Sequence, residues 1–335
     1  MITKFSIAAI GIFTSMALGV QGSETQPEPP EFKQVNRPGS VDLDETYDME
    51  GLQLPREQIH TLLPKDAIPA LTDPKRIKLG DADYLKPEDR VVDVTIGSES
   101  VAVPLKILNF HEIANMVIGG TPVAASYCPL CDSVTLFERT VRITPSDPKA
   151  EAHDVVLEFG VSGALFNSNV LMYDRTHNAL WSQLGLRAVS GPLVGTELKM
   201  LPVRVVSFSE YTLEHPKGRV LSSETGHGRS YDADPYVQYF ENQERLLVPV
   251  AEHGDELPKK TLGLGIVASD EAIFVPAAEI GDRFVIKTKL GEVVASSSDA
   301  GVRVISSPEG VHSVQSFYYS FSAFHPHTRV QSESD

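Results

Sequence analysis

The sequence predicts a mainly β protein of the α+β class, with antiparallel strands in a single large domain and a few short helices. Short apolar runs rich in Val and Ile recur along the chain, bounded by Gly, Pro, Asn and Ser, as is typical of strands and turns. Long helical patterns do not alternate with these runs, which disfavours a doubly wound parallel sheet. No repeat of roughly 20–50 residues is visible, which argues against a propeller or a solenoid.

Composition and charge exclude some classes of protein. The chain has 335 residues, of which 41% are hydrophobic and 22% charged. These values fit a globular chain that can bury a full core without a disulfide scaffold. The formal net charge of −16 argues against a nucleic-acid partner, because proteins that bind the phosphate backbone concentrate Lys and Arg on one face.

The N-terminal residues 1–22 are typical of an export signal. Lys4 provides a positive charge, the apolar stretch Phe5 to Val20 follows, and Ala17-Leu18-Gly19 provides small residues for cleavage. The stretch is shorter than the roughly 20 apolar residues that a spanning helix needs. We therefore expect an exported protein, periplasmic or extracellular, with no stable membrane anchor after cleavage.

The next two segments divide at about residue 66. Residues 23–66 are predicted to form a linker and an extended N-terminal segment. Gln21 to Ser40 is rich in Pro, Glu, Gln and Ser, and Pro55 and Pro64 interrupt the pattern that follows, with a short helix expected near Arg56–Leu63. Residues 67–330 are predicted to form the single domain.

The predicted core begins with a β-hairpin. Apolar and polar residues alternate over Arg90–Ile96, a Gly97-Ser98 turn follows, and Val101–Leu105 forms the second strand. The spacing of apolar residues over Ile107–Ile118 predicts a helix that ends at Gly119-Gly120. Strands are then predicted at Thr121–Tyr127, Ser133–Val141, Val155–Phe159, Val170–Tyr173, Ala179–Gln183, Leu201–Val206, Leu246–Val250, Gly265–Val267, Ala272–Val275, Arg283–Lys287 and Val302–Ser306.

The chain has only two cysteines, Cys128 and Cys131, in the sequence Tyr-Cys-Pro-Leu-Cys. A disulfide between them closes so short a loop that it stabilises by only about 2 kcal/mol, so stability alone explains the pair poorly. Three uses remain open: a redox dithiol, part of a metal site, or a structural pair. The strand pattern that follows, Ser133 to Arg139, differs from the helix that follows a thioredoxin dithiol, and a strand–turn–strand setting resembles a metal knuckle.

A complete metal site needs further ligands, because a structural zinc ion takes four and no second cysteine pair exists. Soft thiolates with imidazole favour copper(I) or zinc(II). Among the ten histidines, His111 precedes the cysteine strand, His227 lies in a glycine-flanked loop, and His325 stands in a Phe-His-Pro-His sequence. These three histidines are the candidate partners of the two sulfurs.

The chain resembles a bacterial and archaeal family of unknown function over roughly Ile68 to Thr328. The resemblance implies one continuous domain and a dithiol that belongs to the family pattern. Met116 and His227 depart from that pattern, and the second departure leaves His111 and His325 as the better shared ligands. The matching motifs are His111-Glu112-Ile113 with Asn115, Gly119-Gly120 with Pro122, Tyr127 to Cys131, Phe159 to Gly163, Asn167-Ser168, Met172 to Arg175, Leu180-Trp181 with Gln183, Leu221-Ser222, Thr225-Gly226, Arg229 with Tyr231, Asp234-Pro235-Tyr236 and Phe324-His325-Pro326.

The leading hypothesis is an exported protein that binds a soft metal ion, or passes it to an exported partner, through Cys128 and Cys131, with His111 or His325 completing the site. A periplasmic dithiol oxidoreductase that uses the same two cysteines is the alternative from the enzyme class. A ligand-binding or interaction module, in which the cysteines only brace a loop, is the third.

Overall fold

The structure is a computed structural model that describes residues 41–143, 151–250 and 252–332. The predicted signal peptide and residues 23–40 of the predicted linker lie outside the described residues. All described residues fall within one compact unit, Gln34–Asp335.

The predicted mainly β class is confirmed, with strands mostly antiparallel and helices short. The helices are α1 Leu43–Thr46, α2 Leu105–His111, α3 Phe208–Glu214, α4 Val237–Glu241, α5 Ala277–Ile280 and α6 Tyr318–Phe324. The strands are β1 Ile59–Thr61, β2 Leu71–Thr72, β3 Arg76–Lys78, β4 Arg90–Ile96, β5 Glu99–Pro104, β6 Ile113–Ile118, β7 Thr121–Cys128, β8 Ser133–Glu138, β9 Thr140–Ile143, β10 His153–Val156, β11 Phe159–Phe166, β12 Asn169–Asp174, β13 Leu180–Ser182, β14 Arg187–Ala188, β15 Arg204–Ser207, β16 Arg219–Leu221, β17 Leu262–Ala268, β18 Glu271–Pro276, β19 Phe284–Thr288, β20 Gly291–Ser298, β21 Gly301–Ser306, β22 Val311–Phe317 and β23 Arg329–Val330.

The described strands form five sheets. The largest has the order β19-β20-β21-β15-β4-β5-β16-β3, and a five-stranded sheet has the order β1-β11-β12-β13-β14. Two four-stranded sheets have the orders β2-β6-β7-β8 and β22-β17-β18-β23, and β10 pairs with β9. Only β16–β5, β18–β23 and β2–β6 pair in parallel among these strands.

The predicted hairpin over Arg90–Leu105 is confirmed as β4 and β5, but the helix predicted over Ile107–Ile118 is wrong in its second half. Helix α2 ends at His111, Glu112 adopts a left-handed conformation (φ 54°), and the chain continues as β6. The glycines that were predicted to stop a helix instead form the two-residue turn between β6 and β7. Both have positive φ, 54° and 78°, which this hairpin turn requires and glycine adopts without strain.

Two other local predictions differ from the structure. The helix expected near Arg56–Leu63 is a single 3-10 turn, Arg56–Gln58, followed directly by β1. Strand β1 pairs with β11, and the Tyr47 hydroxyl donates to Ser162 O at 2.7 Å, so residues from 41 onward pack against the sheet. The strand expected at Leu246–Val250 has no regular secondary structure.

The same order of strands and helices occurs twice along the described chain. The first module is β4-β5-α2-β6-β7-β8 with β15-α3-β16, and the second is β17-β18-α5-β19-β20-β21 with β22-α6-β23. In each module a hairpin ends in Val-Pro, a helix follows at once, and a final strand pairs in parallel with the second hairpin strand. The registers correspond, with Arg219 opposite Val101 and Arg329 opposite Ile273.

The ends of the two modules also correspond in side-chain detail. Helix α3 leads into His215-Pro216 and helix α6 into His325-Pro326. The His215 ring lies 4.9 Å from that of Tyr211 at 43°, and the His325 ring lies 4.7 Å from that of Phe321 at 44°. The backbone nitrogen of each histidine donates a hydrogen bond to the carbonyl oxygen of its aromatic neighbour, Tyr211 or Phe321. The two modules therefore share one design, interrupted in the first by the segment that contains β9 to β14.

No helix among the described residues is long and apolar enough to cross a membrane.

The second module depends on a close contact between Gly265 in β17 and the Phe321 ring of α6. A Cβ atom at residue 265 would lie well inside van der Waals contact with that ring, whereas Gly80 has no heavy atom within 4 Å of such a position. We expect Gly265→Ala to lower the free energy of unfolding by about 1–3 kcal/mol, because overpacking displaces the ring. Urea unfolding measures the change, with Gly80→Ala as the control, and equal stability of the two variants would contradict the contact.

Candidate functional site

The two cysteines lie at a tight turn between two strands, as the sequence predicts. Strand β7 ends at Cys128 and β8 begins at Ser133, and the Cys131 backbone nitrogen donates to Cys128 O at 3.2 Å. The two Sγ atoms are 3.6 Å apart, and both residues are free thiols. Cys128 is 1% exposed and Cys131 0% exposed, so the pair lies in the core.

Two distant segments of the chain reach the sulfurs. The turn between β11 and β12 directs the Ser168 carbonyl oxygen to 3.1 Å from Cys131 Sγ and 3.7 Å from Cys128 Sγ. Asn167 and Ser168 both have positive φ, 48° and 61°, as a two-residue hairpin turn requires. From helix α6, the Ser320 hydroxyl donates to Cys131 Sγ at 3.1 Å.

A buried polar network holds the groups next to Cys131 in place. Asn169 Nδ2 lies 3.7 Å from Cys131 Sγ and donates to Gln183 Oε1 at 2.6 Å. The same Gln183 oxygen accepts from the Ser133 hydroxyl at 2.8 Å, and Gln183 Nε2 donates to Ser126 O at 3.2 Å. Gln183 and Ser126 are 0% exposed. Because these amides are fully bonded, Asn169 is fixed with its donor towards the sulfur.

Two backbone carbonyl oxygens of the cysteine turn, those of Leu130 and Cys131, accept hydrogen bonds from neighbouring segments. The hydroxyls of Tyr239 and Tyr319 donate to Leu130 O at 3.0 and 2.8 Å. The Phe317 nitrogen donates to Cys131 O at 2.7 Å. These bonds attach the turn to α4, β22 and α6, which fixes the direction in which the sulfurs point.

An ion pair anchors the residue after Cys131. Asp132 accepts two hydrogen bonds from the Arg90 guanidinium, at 3.0 and 3.1 Å, and one from the Tyr127 hydroxyl at 2.9 Å. Arg90 Nε also donates to Ala300 O at 2.6 Å. A paired, fully hydrogen-bonded carboxylate of this kind is costly to disrupt by removing one partner.

The surroundings separate the pKa values of the two thiols. Burial raises the pKa of Cys131, but hydrogen bonds from Cys128, Ser320, Asn169 and Tyr319 outweigh it and lower that pKa below its usual value. Burial, together with the hydrogen bond to Cys131, raises the pKa of Cys128 well above its usual value. The arrangement therefore makes Cys131 the more acidic thiol of the pair.

Glu112 is a buried acid near this pair. It is 8% exposed and has an uncommon left-handed backbone conformation. Burial, and after it the charge of Cys128, raises the pKa of Glu112 well above its usual value.

The predicted ligand His111 is bonded through both ring nitrogens to other groups. Nδ1 lies 2.7 Å from Pro69 O, and Nε2 lies 2.7 Å from the Tyr231 hydroxyl. Burial lowers the pKa of His111 to about 4. The His227 ring lies 5.2 Å from the His111 ring, on the exposed side.

The ring of the other predicted ligand, His325, makes a tilted contact with the Phe321 ring at the end of α6, in the position that His215 occupies in the first module. In the part of the chain that the structure describes, the one group of three or more potential metal ligands is Asp93, Glu214 and His215. Arg204 is ion-paired with both of its carboxylates. The structure thus brings Cys128 and Cys131 together but does not place His111, His227 or His325 in a ligand group with them.

Sequence reasoning missed Ser168, Asn169, Ser320 and Tyr319 as neighbours of the sulfurs. Asn167-Ser168 and Gln183 belong to the motifs that carry the family resemblance, which was the available signal for one side of the site. Other motif residues act as braces, since buried Asp174 accepts from Trp181 Nε1 at 2.8 Å and from the His177 backbone.

The family resemblance is confirmed by comparison with known families. A family model described as "Protein of unknown function (DUF3179)" matches residues 65–309, and the chain belongs to this family. The match contains the dithiol and the β11–β12 turn, and it ends before the Phe324-His325-Pro326 motif. No curated protein and no solved structure matches the chain.

The role of Ser320 can be measured from the ionisation of Cys131. We expect Ser320→Ala to raise the pKa of Cys131 by about one unit, because a hydrogen bond to a charged group contributes about 1.5–3 kcal/mol. Thiolate absorbance in the ultraviolet, followed against pH, measures it. Ser322→Ala is the matched control, since the Ser322 hydroxyl donates to Tyr318 O on the same helix. Identical titration of both variants would contradict the assignment.

Proposed function

We propose that this member of the DUF3179 family binds a soft metal ion, copper(I) or zinc(II), through Cys128 and Cys131. The observation that carries the proposal is the convergence of two buried sulfurs, 3.6 Å apart, with the Ser168 carbonyl oxygen near both. Two thiolates bound to one tetrahedral ion at about 2.3 Å each lie about 3.8 Å apart. The sulfurs are therefore close to the spacing that a shared ion needs.

The groups around the sulfurs suit such an ion. Thiolates are the ligands that copper(I) and zinc(II) prefer, and the pKa of Cys131 is already lowered by its hydrogen-bond donors. Ser168 O would be the third ligand and the Ser320 hydroxyl, 3.1 Å from Cys131 Sγ, the fourth. Oxygen ligands of this kind fit zinc(II) better than the softer copper(I). The site that we propose thus takes oxygen ligands from β11–β12 and α6 in place of histidine.

Burial sets a condition on how the ion enters. Cys128 and Cys131 are 1% and 0% exposed, so loading requires a local opening of the turn, whose Leu130 carbonyl is held by Tyr239 and Tyr319. We further propose that loading occurs after export, on the basis of the signal-like residues 1–22. A small ion, or a partner that delivers one, suits this enclosed site better than a large substrate.

Metal binding can be tested by equilibrium dialysis of the reduced protein. We expect one copper(I) or zinc(II) ion per chain, and none in the Cys128→Ser, Cys131→Ser variant. Affinity should increase as the pH rises, because the raised pKa of Cys128 means that its proton must leave on binding.

The variants His111→Asn and His325→Asn distinguish this ligand set from one that contains imidazole. We expect both to retain one ion per chain. Equal, sub-stoichiometric binding by the wild type and the double serine variant would contradict the proposal, and loss of the ion in either histidine variant would contradict the oxygen ligands.

A second candidate, a dithiol redox couple, is favoured by the unequal pKa values of the two thiols. A Cys131 thiolate can attack one oxygen of a hydroperoxide, which breaks the O–O bond, releases the alcohol or water and leaves a sulfenic acid on Cys131. The Cys128 thiol then condenses with that sulfenic acid, releases water and forms the Cys128–Cys131 disulfide. Burial of both sulfurs favours small oxidants over protein disulfides.

Mass spectrometry tests this second candidate. Stoichiometric hydrogen peroxide should remove two hydrogens from the wild type, and Cys128→Ser should stop at the Cys131 sulfenic acid, which dimedone traps. Oxidised glutathione should react far more slowly, because its sulfurs cannot reach the buried pair. Thiols that persist after peroxide treatment, or faster reaction with glutathione, would count against the redox couple.

A further inference from the structure

A long irregular segment separates the dithiol from solvent on one side. Residues 222–250 follow β16, and α4 is their one element of regular secondary structure. Connections of this length without strands are uncommon in compact domains and often cover a site. Val237, Gln238 and Glu241 of α4 are exposed, whereas Tyr239 is 6% exposed. Helix α4 is therefore a single layer, with one face in solvent and the other in the core that contains the cysteines.

The inner face of α4 contacts the cysteine turn. The Tyr239 hydroxyl donates to Leu130 O at 3.0 Å, and Leu130 immediately precedes Cys131. Burial raises the pKa of Tyr239, and the charges of Cys131 and Cys128 add to that shift. Further along the segment, Val248 packs in the same apolar cluster as both cysteines. An outward movement of this segment would therefore uncover the turn.

Few bonds hold residues 236–250 in place. No backbone–backbone hydrogen bond joins them to another segment of the described chain. The other neighbours of the sulfurs are anchored through their backbones, because β12 belongs to a five-stranded sheet and the Phe317 nitrogen, just before α6, donates to Cys131 O. Segments with few backbone hydrogen bonds to the rest of a protein open at the lowest free energy. We therefore expect α4 to open before the other two elements.

The Lys260 side chain holds α4 in its closed position. Lys260 is 4% exposed, and its ammonium donates to Tyr239 O and, at 2.7 Å, to Asn242 O. The same nitrogen lies 3.3 Å from the centre of the Tyr239 ring, where the aromatic face attracts a cation. These contacts meet the last turn of α4 and the residue that ends it.

The backbone on both sides of Lys260 is fixed to helix α6. The Tyr319 nitrogen donates to Lys259 O at 3.0 Å, and the Tyr318 nitrogen donates to Thr261 O at 2.9 Å. Lys260 therefore connects a firmly held element, α6, to the weakly held α4.

We propose that residues 236–250 form a gate over the dithiol, and that the Lys260 side chain keeps this gate closed. Opening breaks the bonds from Lys260 to α4 and the bond from Tyr239 to Leu130 O, and it leaves the β11–β12 turn and α6 in place. As the route for a metal ion, the gate rests on the function proposed above. As the route for any small reagent, it does not require that an ion binds.

Alkylation of the reduced, metal-free protein by N-ethylmaleimide tests the gate. Mass spectrometry follows both cysteines, and the rate for the urea-unfolded chain converts each rate into an opening equilibrium. We expect Lys260→Met to speed alkylation about tenfold, because the carbonyls of Tyr239 and Asn242 lose a charged donor. Lys259→Met is the matched control. It removes an exposed ion pair with Glu244 and should change the rate less than about threefold.

Hydrogen exchange locates the opening. We expect Lys260→Met to speed exchange in residues 236–250 and to leave β12 unchanged. Faster exchange across the whole chain, or an opening that starts at the β11–β12 turn, would overturn the gate. Tyr239→Phe removes the bond to Leu130 O and should speed alkylation about fivefold, so it decides the question if Lys260→Met fails to fold.

Zinc(II) uptake by the wild type distinguishes failure of the gate from failure of the metal proposal. If Lys260→Met is alkylated faster and the wild type binds no ion, the gate stands and the metal function fails. If the wild type binds one ion and Lys260→Met is alkylated no faster than Lys259→Met, the gate fails and the metal function stands.

Discussion

The fold around the cysteines directs several hydrogen-bond donors at one buried sulfur. Cys131 is 0% exposed, and burial alone would raise the pKa of its thiol. That pKa is lowered instead, because donors converge on the sulfur from Cys128, from Asn169 and from helix α6. Those donors come from segments far apart in sequence, so the lowered pKa depends on the complete fold rather than on the dithiol turn alone.

The segment from β9 to β14, which separates the two parts of the first module, provides one side of the surroundings of the two sulfurs. Strands β11 and β12 bring the Ser168 carbonyl and the Asn169 amide to the sulfurs. Gln183, just after β13, fixes that amide against Ser133 of the cysteine hairpin. Two residues of the family motifs, Asp174 and Trp181, hold this hairpin together through a buried hydrogen bond. Their tight bonding explains how a two-residue turn can keep a carbonyl oxygen directed at both thiols.

The parts of the molecule that could be predicted from sequence are the local ones. The β4–β5 hairpin and the strand–turn–strand setting of the cysteines follow from alternation and turn residues alone. The helix predicted over Ile107–Ile118 fails beyond His111, because β6 is buried on both faces at five of its six residues, and such a run fits either period. The histidines have the chemistry of metal ligands, yet His111 is fully hydrogen-bonded and the His325 ring contacts the Phe321 ring at 44°. Ser168 belongs to a family motif, but nothing in the local sequence of Ser320 identifies it, because its proximity to sulfur arises only from long-range packing.

The duplicated module gives Ser320 a counterpart in the first module. Helix α6 of the second module contacts the β7–β8 turn of the first through Ser320 and Tyr319. In the first module, Glu210 of α3 lines a cavity of about 170 Å³ together with Ser298 and Gly301, the residues on either side of the β20–β21 turn. Each helix therefore lies near the corresponding turn of the other module. In α3 the place of Ser320 is taken by Glu210, whose carboxylate accepts from the Ser207 backbone and hydroxyl at the start of its own helix. The β20–β21 turn contains Asp299 and Ala300 where the other turn has two cysteines. One of two corresponding places thus has a hydroxyl that donates to a cysteine sulfur, while in the other the same helix position caps its own helix.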